Sequence, residues 1–258
     1  MSHLASYTGN GATAVSYGNV SAVGFLRWTG DEDYDGKQGY GKAYWGYPDE
    51  DRLEFDGEYR DDEKYYGKFT QLSDKTSWEG YYADGEPDGE GTLTTYRNGK
   101  KVVITGVASD MDGRNWWEFT GTGIETYEDG TMFEGEFVDG EWTEGTLTCT
   151  NGEVYTGTWE EKQLEGEGLW LSESGISYSG NFRQSIPDGK GVLNFPSGST
   201  FVGEYRKGVV HGQGVWEGSD GTSYQGEYAN GKAHGHGIRI NESGDKQVGQ
   251  FKEGHFIA

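Results

Sequence analysis

Apolar and polar positions alternate along the chain in short bursts of five residues. The plainest bursts are Tyr155-Thr-Gly157-Thr-Trp159, Tyr178-Ser-Gly180-Asn-Phe182, Phe201-Val-Gly203-Glu-Tyr205 and Tyr224-Gln-Gly226-Glu-Tyr228. A period of two puts the first, third and fifth residues on one face of a strand, as two large rings flanking a bare glycine. Thr156, Thr158, Gln225 and Glu227 then point the other way. A glycine inside a strand weakens it unless the space is used, and the expected use is a ring from a neighbouring strand. Eleven residues into each copy stands a Gly-x-Gly: Gly166/Gly168, Gly189/Gly191, Gly212/Gly214 and Gly235/Gly237. An apolar residue follows each time (Leu169, Val192, Val215, Ile238) and is expected to begin a second strand. Turn formers such as Pro187-Asp188-Gly189 and Asn230-Gly231 lie between the strands, and Gly175, Gly198, Gly221 and Gly244 close the copies.

Each copy therefore predicts a β-hairpin, and the copies start 23 residues apart. A lone hairpin is marginal in water, so stacked copies that bury one another's rings form the folding unit. Earlier copies open at Trp28-Thr-Gly30, Phe55-Asp-Gly57-Glu-Tyr59, Trp78-Glu-Gly80-Tyr-Tyr82, Ile104-Thr-Gly106 and Phe133-Glu-Gly135-Glu-Phe137. In the copy at Phe55, Tyr66-Gly67-Lys68 replaces the Gly-x-Gly. In the copy at Ile104, Gly121-Thr-Gly123 arrives six residues late, which marks an insertion around Trp116-Trp117. A partial copy, Gln247-Val-Gly249-Gln-Phe251, ends the series. The expected organisation is an N-terminal cap or degenerate repeat over residues 1–27, then an array over 28–258 of nine full copies and the partial one.

The sequence Tyr224-Gln-Gly226-Glu-Tyr228-Ala-Asn-Gly231-Lys-Ala-His234-Gly235-His-Gly237 resembles the MORN (membrane occupation and recognition nexus) repeat, specifically over 155–246 and more loosely over 28–154. The resemblance implies an all-β fold, an elongated, twisted β-meander solenoid of stacked hairpins. It also implies a scaffold, often in cytoskeletal or ciliary structures. Some relatives carry a lipid kinase or lysine methyltransferase domain beside the repeats, and no segment of this chain reads as either.

Composition narrows the partners. Lys+Arg 21 against Asp+Glu 44 gives a net charge of −23, which opposes nucleic acid, whose phosphates need basic residues. It equally opposes anionic membranes, where each Lys or Arg contributes about 1 kcal/mol. Neither a signal peptide nor a membrane-spanning run is visible, and the single Cys149 fits a reducing compartment, so the expected location is cytoplasmic. No catalytic residues, cofactor or metal are expected. His211, His234 and His236 fall at ladder spacing, as zinc ligands would, but a polar residue beside a turn glycine is the simpler reading. The carboxylates read as a solvated face, and Cys149 has no evident base nearby.

The expected function is a non-enzymatic scaffold that presents an acidic, aromatic-lined surface to another protein bearing a basic or amphipathic segment. A homodimer is compatible with the pattern. The candidate contact residues are Trp116 and Trp117 of the insertion and the repeated rings Tyr155, Trp159, Tyr178, Phe182, Phe201, Tyr205, Tyr224 and Tyr228. The alternative is a module that binds lipid or carbohydrate on exposed rings.

Overall fold

The computed structural model describes residues 27–33, 36–45, 53–60, 63–97, 99–109 and 118–258. All but the last residue of the expected cap, and both Trp116 and Trp117, lie outside them. The fold is all-β, with no helix among the described residues. Two compact units are formed, one from residues up to 129 with 136–141, the other from 130–135 with 142–258.

In the second unit every strand pairs antiparallel with the next in the chain. The strands Val154–Glu160, Ser177–Arg183, Thr200–Arg206 and Ser223–Ala229 carry the aromatic bursts. They alternate with the return strands Gln163–Leu171, Ile186–Asn194, Val209–Glu217 and Lys232–Ile240. The register sets glycine opposite glycine throughout: Gly145, Gly157, Gly168, Gly180, Gly191, Gly203, Gly214, Gly226, Gly237 and Gly249 form one row. The first unit has the same row, running Gly30, Gly41, Gly57, Gly67, Gly80, Gly91, Gly106 and Gly123.

The row exists because in most copies the opening ring lies along it. A Cβ on Gly203 would stand 2.6 Å from Cζ of Phe201, and one on Gly214 would stand 2.7 Å from Cε2 of the same ring. Phe201 thus covers a glycine of its own strand as well as one across the hairpin, rather than only a neighbour's as expected. The other glycine of each Gly-x-Gly has a different task. Pairing jumps from Gly203↔Gly214 to Glu204↔His211, so Gly212 and Gln213 bulge out of the ladder. Gly212 takes φ 68° there, Gly166 φ 70° and Gly235 φ 57°, left-handed values that a side chain disfavours. In the copy at Phe55 only Tyr65 is extra, which is why Tyr66-Gly67 suffices.

This bulge also corrects the turn and strand positions. The return strand already contains the Gly-x-Gly, and Pro187-Asp188-Gly189 lies inside Ile186–Asn194. The hairpin instead turns at Gln184-Ser185, with φ 52° and 59°. Lys207-Gly208 and Asn230-Gly231 turn likewise, with both φ values positive, the type I′ geometry that matches strand twist. Gly175, Gly198, Gly221 and Gly244 close the copies with φ of 83–88°.

The rings of the second unit form a continuous edge-to-face chain. Tyr178 meets Phe182 at 5.0 Å and Tyr205 at 4.9 Å; Phe201 meets Tyr205 at 5.6 Å and Tyr228 at 5.1 Å. Tyr224 then meets Tyr228 at 5.1 Å and Phe251 at 5.0 Å. Each opening ring thus touches the closing ring of its own copy and that of the next. Such pairs contribute about 0.5–1.5 kcal/mol beyond the area they bury. Tyr155 is the exception. Leu164 of the return strand packs over Gly157 and Gly168, leaving Tyr155 half-buried with its hydroxyl toward Glu153.

The core of the first unit is less uniform. Phe55 packs edge-on against Tyr59 and Tyr82, and Trp78 covers Gly80 and Gly91. In the copy at Ile104, Ala108 stands where a closing ring is expected. Phe119, from beyond the insertion, supplies a ring 6.3 Å from Trp78 and 5.4 Å from Phe137. Glu125 is fully buried and accepts a 2.6 Å hydrogen bond from Arg97. Lys64 holds its ammonium 4.9 Å from the Phe69 ring and 5.2 Å from Tyr82. Burial lowers its pKa to about 8.

Candidate functional site

The repeated rings are not a presented surface. Trp159, Tyr178, Phe182, Phe201, Tyr205 and Tyr224 are buried, while Tyr155 and Tyr228 are partly buried. Their polar atoms are turned inward too. The Tyr178 hydroxyl donates to the carbonyl of Asn181 at 3.1 Å, and that of Tyr224 to Glu227 at 3.0 Å. Trp159 Nε1 donates to the carbonyl of Gly145 at 3.0 Å. Burial pushes the Tyr178 phenol up to about 12. Alternation told which residues share a face; the glycine row, by letting the rings lie flat, closes that face upon itself.

What remains accessible is the opposite face, built from the alternate positions of the same strands. In the second unit one row along it reads Leu169, Ser179, Val192, Val202, Val215, Gln225, Ile238 and Val248, each residue opposite the next in register. Six of these eight are apolar, with Val202 50% and Val248 60% exposed. Four of the apolar six were legible as the residue after each Gly-x-Gly. Val202 and Val248 stand at outward places of their own strands, where only the register reveals the row.

Beside the apolar row runs a second, formed by the pairs Glu167–Asn181, Lys190–Glu204, Gln213–Glu227 and His236–Gln250. It carries three glutamates against one lysine, so one border of the stripe is acidic. The other border, Leu171–Ser177, Asn194–Thr200, Glu217–Ser223 and Ile240–Lys246, is mostly hydroxyl, amide and aliphatic. Eight strands at about 4.8 Å make the stripe about 34 Å long.

The histidines take part in this architecture without converging. Glu165 accepts a hydrogen bond from the Gln184 amide at 2.8 Å, and Asp188 from the Lys207 amide at 3.0 Å, each bracing the next copy's turn. His211 and His234 occupy the equivalent places in the later copies. His236 meets Gln250 at 2.7 Å. No group of three or more His, Cys, Asp or Glu is disposed to hold a metal among the described residues. Cys149 is a half-buried cysteine outside any disulfide, at the start of a turn.

Among protein families, the MORN repeat matches residues 78–100, 133–154, 155–177, 178–200, 201–223 and 224–246. No curated protein matches the chain.

Proposed function

The chain belongs to the MORN-repeat family, and from that premise we propose that it is a scaffold that docks another protein on the open face of its second unit. MORN repeats are generally found in scaffold or membrane-associated proteins and are generally non-enzymatic. The observation that carries the reading is the apolar stripe from Leu169 to Val248, exposed at Leu169, Val202 and Val248 and half-buried at Val192, Val215 and Ile238, bordered on one side by Glu167, Glu204 and Glu227. An exposed apolar row of this extent favours a partner. Its size suits an amphipathic segment that sets an apolar edge on the stripe and basic residues toward the glutamates. At about 1.5 Å per residue, a helix of about 22 residues would cover it. The contact gains its hold from the apolar row, and the glutamates govern encounter rate and specificity.

The test places a photo-crosslinking residue at Val202 or, as a control away from the stripe, at the exposed turn residue Lys207. Crosslinks to a partner are expected from Val202 and from neighbouring stripe positions. Crosslinks from Lys207 alone would reject this face. The setting proposed is cytoplasmic, in a cytoskeletal or ciliary assembly as the family resemblance suggests, and imaging of the tagged chain checks it.

A further inference from the structure

The open face of the first unit carries a different surface at the corresponding place. Tyr40, Glu58, Tyr66 and Tyr81 stand opposite one another in register on four successive strands: Gly36–Trp45, Leu53–Arg60, Glu63–Gln71 and Ser77–Ala83. Tyr40 is 68% exposed, Tyr66 38% and Tyr81 41%. Tyr66 and Tyr81 meet edge-to-face at 4.9 Å, so each leaves part of a ring face to solvent. The next row over is Lys42, Asp56, Lys68 and Glu79. Tyr40 and Tyr66 line a shallow recess together with Glu54, Asp56, Lys68 and Glu79.

The site already shows what it accepts. Arg60 lays its guanidinium carbon 3.3 Å from the centre of the Tyr65 ring, while its Nε donates to Glu58 at 3.0 Å. A tyrosine face on one side and a carboxylate at the edge is the arrangement that a planar guanidinium satisfies and a compact ammonium does not. Tyr40, Tyr66 and Tyr81 offer the same pairing of rings with carboxylates at Glu54, Asp56, Glu58 and Glu79. Lys42 bridges Asp56 at 2.6 Å and Glu54 at 3.3 Å, and Lys68 lies 3.8 Å from Glu79. These are single contacts, and each carboxylate has acceptor positions left over.

We infer that this tyrosine strip is a docking site for an arginine-bearing extended segment of a protein partner. Spacing refines the segment. Tyr40 lies two strands from Tyr66, about 10 Å, which a segment in the extended polyproline II conformation covers in about three residues, one full turn that returns the side chain to the same side. Arginines at every third position therefore set one guanidinium at Tyr40 and the next at the Tyr66–Tyr81 pair. The strip lies on other strands than the Leu169–Val248 stripe, so it stands or falls independently of the docking proposed there.

The test titrates the full chain with a fluorescent (Arg-Gly-Ser)3 peptide and with its (Lys-Gly-Ser)3 counterpart, at low and at physiological salt. The arginine probe is expected to bind at least fivefold more tightly than the lysine probe. Y66L with Y81L should remove that preference, and Y40S, at the most exposed ring, should weaken the arginine probe about threefold. The stripe variant V202T with V215T should leave both titrations unchanged, which separates this site from the other one. Circular dichroism confirms that each variant is folded, and Y40S keeps the test open should the double variant unfold. Equal binding of the two probes would reduce the effect to net charge and overturn the proposal. So would an arginine preference that survives the tyrosine changes, absence of binding, or recognition by the strip of a neutral oligosaccharide instead.

Discussion

The two units share one buried face and differ on the other. Both carry an unbroken glycine row with opening rings laid along it. On the open face, the row beside the glycines reads Lys42, Asp56, Lys68, Glu79, Thr92 and Thr105 in the first unit. In the second it reads Leu169, Ser179, Val192, Val202, Val215 and Gln225. Ring and glycine are bound to each other by sterics, since any side chain at the row displaces the ring. Among the described residues, no second layer packs on the open face to constrain it in the same way. On the function proposed above, stability resides in the repeated pattern and recognition in the positions that vary.

The largest expected effect tests whether the first unit's irregular core depends on its own devices. Glu125→Ala removes a fully buried carboxylate and takes from the partly exposed Arg97 its 2.6 Å partner, and should destabilise by about 3 kcal/mol. Hydrogen exchange should show the loss around residues 93–127, with protection around Phe201–Phe251 retained. Gly214→Val probes the shared device in the second unit. The branched side chain would run into Phe201 and come within reach of Tyr228, and chemical denaturation should register a loss of about 1–3 kcal/mol.

The regular part of this design was legible in the residues, because period two and period 23 together dictate which side chains meet. Whether the ring face was covered was not legible, since alternation assigns faces without saying what lies on them. The replacement of Tyr155 by Leu164 depends on which of two apolar groups reaches the glycines first. Phe119 follows an insertion whose length hides its register, though an aromatic two residues before a displaced Gly-x-Gly was a usable signal. The misplaced turn at Pro187-Asp188-Gly189 follows from the bulge, which absorbs two residues that a plain hairpin would put in its loop. The tyrosine strip was hidden for a related reason: Tyr40, Tyr66 and Tyr81 become neighbours only through pairing.

A smaller effect should appear in base. Burial raises the Tyr178 phenol to about 12, against about 10 in an unfolded chain. Unfolded molecules then release this proton at lower pH than folded ones. The stabilisation is complete below about pH 10 and disappears as pH climbs to about 12. Circular dichroism followed with tyrosinate absorbance should show ionisation and unfolding together in that window, and Tyr178→Phe should move the midpoint upward. Smallest of all is Tyr205→Phe. The Tyr205 hydroxyl is buried without a hydrogen-bond partner, and Phe182 shows that the same place accepts a plain ring. Denaturation should detect a change within about 0.5 kcal/mol, or a slight gain.

The division of labour between the faces is tested most directly by one fourfold variant, Leu169→Thr, Val192→Thr, Val202→Thr and Val215→Thr, assayed for both melting and partner binding. Threonine keeps the strand preference of valine and removes four of the stripe's six apolar residues. The melting temperature is expected to stay within about 4 °C of the parent, while the partner that crosslinks at Val202 no longer binds. A variant that keeps its partner, or one that melts far below the parent, would show that the open face does not carry recognition apart from stability.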